Sequence, residues 1–142
     1  MNIEVYEGVE GVKNTIELIL KENEFYLIGA TGKLFEKLEF FIENFYAKIA
    51  KKKLKAYFLL NSDLKNSKLG GEFIEISKRL NKFEYRFMPK SFKTSTQLYI
   101  FGDYSIVFNW NPVPISIVIK NKEIAKGFKS YFDFIWGVSA KV

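Results

Sequence analysis

Histidine and cysteine, on which most hydrolytic and metal chemistry rests, are both absent from this chain of 142 residues. Ser-His-Asp and Cys-His nucleophilic catalysis, Cys/His zinc sites, haem and iron–sulfur ligation and disulfide bonds are thereby excluded. A catalyst would have only carboxylates, Lys, Tyr, Ser and Thr to work with. Glu7, Glu10, Asp63 and Asp103 stand in or beside turns. No spacing brings two of them together as an acid–base pair. The reading is therefore of a protein that is not an enzyme.

Three constellations remain. Gly29-Ala30-Thr31-Gly32-Lys33 joins an apolar run to a helical one. Its N–H groups and the dipole of the following helix suit an anion, with Thr31, Gly32 and Lys33 as the contacts. It is not a Walker A loop, because too few residues separate Gly29 from Lys33. The plainer reading is a turn that needs a left-handed glycine. Ser95, Thr96, Gln97 and Asp103 make either a polar ligand pocket or a strand edge followed by a Gly-Asp hairpin turn. Lys48, Lys51, Lys52, Lys53 and Lys55 suit phosphate or nucleic acid, but equally complement a helix C-terminus. Trp110 and Trp136, each at the end of an element, read as structural anchors.

Hydropathy periods place these residues on elements. Strands are expected over 3–6, 24–30, 54–60, 83–88, 97–101, 104–110 and 115–119. Helices are expected over 9–22, 34–52, 72–80 and 122–136. Their inward stripes are Val9, Val12, Ile16, Ile19 and Leu20; Leu34, Leu38, Phe41, Phe45 and Ile49; Phe73, Ile76 and Leu80; and Ile124, Phe128, Tyr131, Phe132 and Ile135. Phe40 and Tyr46 lie off the second stripe and read as an interface or a second packing layer. Alternating strands and helices in the first half, then hairpins, predict one α/β domain over 1–142. Its sheet should be mixed but largely parallel, flanked by helices on both faces.

Charge is unevenly spread. The net is +6, with residues 1–46 acidic overall and residues 47–142 basic. Such asymmetry can mark an anion or nucleic-acid face. Yet only Arg79 and Arg86 could supply the guanidinium forks that phosphate readers favour, so a lysine-rich solvated surface is the simpler account. Abundant Lys and Glu with one Gln (Gln97) and no Cys fit a thermophilic source. The N-terminal MNIEVYEGVEG has no basic, apolar leader pattern, and no apolar run approaches the roughly 20 residues of a membrane span. A cytoplasmic protein with no membrane partner is expected.

Several segments are familiar. Residues 5–17 (VYEGVEGVKNTIE), the turn at 26–29 with 33–35, residues 43–61 (ENFYAKIAKKKLKAYFLLN) and residues 120–136 (KNKEIAKGFKSYFDFIW) follow one another in order. Together they resemble the effector domain of archaeal TrmB-like transcriptional regulators. The resemblance implies a fold similar to one half of a phospholipase D enzyme. That superfamily carries its nucleophilic histidine in an HxKxxxxD motif; here Ser95 or Thr96 takes the histidine place and Gln97 or Leu98 the lysine place, with only Asp103 nearby. It implies a non-catalytic domain that binds a small effector, such as a sugar, at Thr31, Gly32, Lys33, Ser95, Gln97 and Asp103, with no cofactor or metal. It also implies a homodimer, and DNA contact only through a winged helix that this chain lacks. The alternative is a stand-alone basic module binding nucleic acid through Lys51, Lys52 and Lys53, or a protein partner.

Overall fold

The computed structural model describes residues 2–31, 38–78 and 82–141. The chain opens with β1 (Asn2–Glu7), α1 (Val9–Glu17) and a 3-10 turn (Leu18–Lys21). β2 (Glu24–Ala30), α2 (Glu39–Lys52), β3 (Lys55–Leu60), a 3-10 turn (Ser62–Leu64), α3 (Lys68–Ser77) and β4 (Lys82–Phe87) follow. The second half is β5 (Gln97–Phe101), β6 (Tyr104–Asn109), β7 (Ile115–Lys120), α4 (Lys122–Val138) and β8 (Ala140–Lys141). The order is the expected one with a short strand added at the end. Gly32, Lys33 and the start of the helix expected from residue 34 lie outside the described residues.

Local chemistry explains the ends. Asn121 caps α4 by accepting the Ile124 N–H at 2.9 Å, and Ser67 caps α3 by accepting that of Gly70 at 2.9 Å. α3 starts four residues earlier than expected, because Gly70 is a close-packing residue and not a breaker. A Cβ there would stand 2.0 Å from the Leu64 carbonyl oxygen. α2 ends in a Schellman motif: Leu54 N–H donates to the Ile49 carbonyl, Lys53 N–H to that of Ala50, and Lys53 takes φ 60°.

The strand order is β1-β7-β6-β5-β2-β3-β4-β8. Among the described residues only β2–β3 and β3–β4 are parallel; every other neighbouring pair is antiparallel. The expectation of a largely parallel sheet is thereby corrected. Parallel neighbours need a crossover helix, and only α2 and α3 connect adjacent strands in this way. β1 instead crosses to the far edge and pairs with β7.

The pleat sorts the core into two clusters. Phe25, Leu27, Ala56, Phe58, Tyr99 and Phe108 meet Val12, Ile16, Ile19, Ile42, Phe45, Ile49 and Phe73 from α1, its 3-10 extension, α2 and α3. On the opposite face Ile28, Leu59 and Ile100 meet Ala125 and Phe132 of α4. Helices are thus not shared out over the two faces as expected: α4 alone contributes to the second cluster. Val9 and Tyr131, expected inward, are exposed, as is Phe40, whereas Tyr46 is buried in the larger cluster.

Candidate functional site

The parallel strands β2 and β3 end at Ala30 and Leu60, and the antiparallel β5 begins beside them, with Ile28 opposite Leu98. Open α/β sheets bind ligands beyond such strand ends. Three segments converge here: Thr31 after β2, residues 61–63 after β3, and residues 93–97 leading into β5. Gly29 makes the convergence possible. Its φ is +86°, and a Cβ would stand 2.8 Å from Thr94 Cγ2 and 2.9 Å from the Thr96 carbonyl oxygen.

Side-chain amides tie the segments together. Asn61 Nδ2 donates to the Thr94 carbonyl at 3.1 Å, and Gln97 Nε2 donates to Thr31 Oγ1 at 3.3 Å. Thr94 Oγ1 accepts the Thr96 N–H at 3.0 Å, closing a local turn, and Asn109 Nδ2 donates to Thr96 Oγ1 at 3.0 Å. Both Asn61 and Gln97 are buried, and the carbonyl oxygen of each has no hydrogen-bond partner among the described residues. Leaving such an acceptor buried and unpaired costs about 1–3 kcal/mol. Thr31, Asn61, Asp63, Lys93, Thr94 and Ser95 line an open cavity of about 340 Å³. Beneath it Gln97 also borders a smaller apolar cavity of about 30 Å³ among Phe45, Tyr46, Phe73 and Tyr99. Burial raises the phenol pKa of both Tyr46 and Tyr99, so neither is a proton acceptor at neutral pH.

Carboxylates are sparse around the cavity. Among the described residues no three acidic groups gather as a metal site. Among the described residues Asp63 is the one carboxylate in the cavity wall. Glu7 lies at the same end of the sheet but five strands away, about 24 Å by strand spacing. Glu10 is ion-paired to Lys13 at 3.3 Å.

Of the residues expected in a site, Thr31, Ser95 and Gln97 do come together. Asp103 does not. It sits in the β5–β6 turn at the opposite end of the sheet, about 17 Å of strand from Gln97. Lys51, Lys52 and Lys53 are also at that opposite end, exposed at the α2 C-terminus. Lys48 is paired with Glu17 at 3.2 Å. Asn61, Lys93 and Thr94 were not anticipated in the site. The available signal was Asn61 itself, a polar residue directly after the apolar run of β3.

No protein-family model and no curated protein matches the sequence. Solved structures do match the fold. TrmBL2, an archaeal chromatin protein whose structure shows a novel mode of DNA binding, has a TM-score of 0.69 at 20% identity over 100% of this chain. The chain spans only 55% of that protein's chain. NucT from Helicobacter pylori has a TM-score of 0.69 at 12% identity, with 99% of both chains covered. Nuc from Salmonella typhimurium, a phospholipase D family member, has a TM-score of 0.64 at 10% identity, again over 99% of both chains. At these identities the likeness establishes a phospholipase-D-like fold and no more.

Proposed function

We propose that this chain is a non-catalytic, ligand-binding regulatory domain of the TrmB-like kind, built on a phospholipase-D-like fold. The observation that carries the reading is the pair of buried amides, Asn61 and Gln97, whose carbonyl oxygens stand unpaired beside the threonine-lined strand ends. A ligand that fits offers hydrogen-bond donors and is small and polar, as a sugar or other polyol is. With no histidine anywhere in the chain, a phosphohistidine intermediate cannot form. The whole chain acts as one domain, binds effector at Thr31, Asn61, Thr94, Ser95 and Gln97, and passes the signal through a homodimer. Any reading of DNA by this route belongs to a winged helix supplied by another segment or chain.

A thermal-shift series with mono- and disaccharides and linear polyols tests this. A binding sugar raises Tm as concentration exceeds Kd, and Asn61→Ala abolishes the shift while leaving the far-UV spectrum intact. Failure of every polyol to raise Tm, or an unchanged shift in Asn61→Ala, refutes the reading.

A second reading has its own support: the DNA-binding TrmBL2 has this fold, and Lys51, Lys52 and Lys53 stand exposed together. In that case the chain binds nucleic acid without sequence preference, and affinity falls steeply with salt. Replacing the three lysines with Ser then abolishes retention on DNA, whereas no retention of the wild type at low salt removes this reading.

A further inference from the structure

We infer that two copies of this chain dock face to face through α4, each inserting its own α4 onto the half of the other's sheet that its own helix leaves bare. The inference deepens the dimeric part of the reading above and assigns it a surface.

Strand register defines that surface. Directly paired residues share a face, so Leu98, Val107, Ile117 and Val5 form one row across β5, β6, β7 and β1. Ile100, Ser105, Ile119 and Ile3 form the next row. Ile28, Leu59 and Ile100 on the same face are covered by Ala125 and Phe132 of α4. α4 rests on β2, β5 and β6. The rows continue past it, and at their end Ile3 is 56% and Val5 59% exposed. These are β-branched side chains of the kind a sheet normally turns towards a packing layer.

The second half of the surface is on α4. Tyr131, Phe134 and Val138, spaced i, i+3, i+7, form a stripe on its outer flank and are 62%, 73% and 55% exposed. They border an apolar groove of about 630 Å³ with Ile28, Leu98, Phe92 and Ile135. The groove shares the half-buried Leu98 with the first of these rows, which links the ridge on α4 to the apolar row running out to Val5.

The occupant follows from the dimensions. Beyond β6, the outermost strand under α4, β7 and β1 extend two strand spacings, about 10 Å, to the sheet edge, close to the diameter of one helix of about 10–12 Å. The cover that fits is a single helix with an apolar outer stripe, and α4 of a second copy is such a helix. One helix and one helix-wide strip per copy make the face self-complementary under a two-fold axis. Ile3, Val5, Phe92, Tyr131, Phe134 and Val138 together expose on the order of 700 Å², near the roughly 800 Å² per partner of a standard interface.

The test uses sedimentation velocity and cross-linking on the full chain. The wild type is expected to be a dimer at micromolar concentration. Val5→Lys and Phe134→Lys lie on different elements and are exposed in the single chain, so each keeps the monomer fold while raising the dimer Kd at least 30-fold. Because the chain has no cysteine, Val5→Cys and Phe134→Cys proteins can be mixed with a short bismaleimide. Dimers that cross-link well only in the mixture place the ridge of one copy in the strip of the other. A wild type that stays monomeric, a dimer unaffected by both charged substitutions, or cross-linking confined to Val5→Cys alone (edge pairing through β1) overturns the inference. Thermal shift with sugars reads the strand-end site separately, so failure of either proposal is told from failure of the other.

Discussion

Replacing Gly29 with alanine tests how the strand-end site is held together. The wild-type φ of +86° is one that an L side chain rarely adopts, and the new Cβ would stand 2.8 Å from Thr94 Cγ2 and 2.9 Å from the Thr96 carbonyl. The left-handed conformation costs about 1–2 kcal/mol for a non-glycine residue. Pushing residues 94–96 aside adds about 1–2 kcal/mol of overpacking. The expected loss is therefore about 3 kcal/mol, or a fall in Tm of about 6–12 °C for a chain this long. Calorimetry or urea unfolding measures it. The steric share is separable, because Thr94→Ser deletes Cγ2 and retains the hydroxyl that organises the turn. In the double variant part of the loss returns, giving a coupling of about 1 kcal/mol, and the remainder reports φ and the Thr96 carbonyl. A Gly29→Ala loss below about 0.5 kcal/mol, or strict additivity with Thr94→Ser, would refute the claim that close approach of these segments requires glycine.

Further measurements probe other parts of the fold. Ser105 is fully buried and its hydroxyl has no partner among the described residues, so Ser105→Ala should raise the urea midpoint by an amount equivalent to about 1 kcal/mol. Lys53 occupies the left-handed position after α2 with φ 60°, so Lys53→Gly should stabilise by about 0.5–1 kcal/mol at unchanged m-value. Burial raises the phenol pKa values of Tyr46 and Tyr99 above the usual tyrosine value of about 10. The unfolded chain then releases these protons first, so stability is level below pH 10 and falls as pH rises beyond it. Unfolding followed by circular dichroism from pH 8 to about 11.5 checks this; a stability that rises through that range would contradict the burial of these rings.

Much of the architecture was legible because the signals are local. Period-3.6 stripes marked Val12, Ile16 and Ile19 in one helix and Phe45 and Ile49 in another, and all are buried. Alternation and apolar runs marked β2, β3 and β5 to β7. Tyr131 is exposed although its spacing from Phe128 and Ile135 fits an inward stripe, because small rotations of a helix decide which edge of that stripe is covered. The true start of α3 is hidden in the sequence because Gly70 has the composition of a breaker, and only its contact with the Leu64 carbonyl explains it. Thr31, Ser95 and Gln97 converge at the strand ends because each stands at or beside a strand boundary, a position the local pattern marks. Asn61 also follows a strand end, but its placement depends on Thr94, 33 residues away.

What the amino-acid sequence determined by itself was a set of exclusions and an order. Without histidine or cysteine no arrangement in space restores their chemistry, and helix and strand periods depend on near neighbours alone. What only the tertiary structure decided was adjacency. Pairing β1 with β7 and β2 with β5 turned an expected mixed, largely parallel sheet into a mostly antiparallel one. The same pairing sent Asp103 to the end of the sheet opposite Gln97, brought Asn61 to Thr94, and left Ile3 and Val5 exposed at the sheet edge beyond α4. Strand partners are chosen by packing between residues far apart in the chain, and no local pattern encodes that choice.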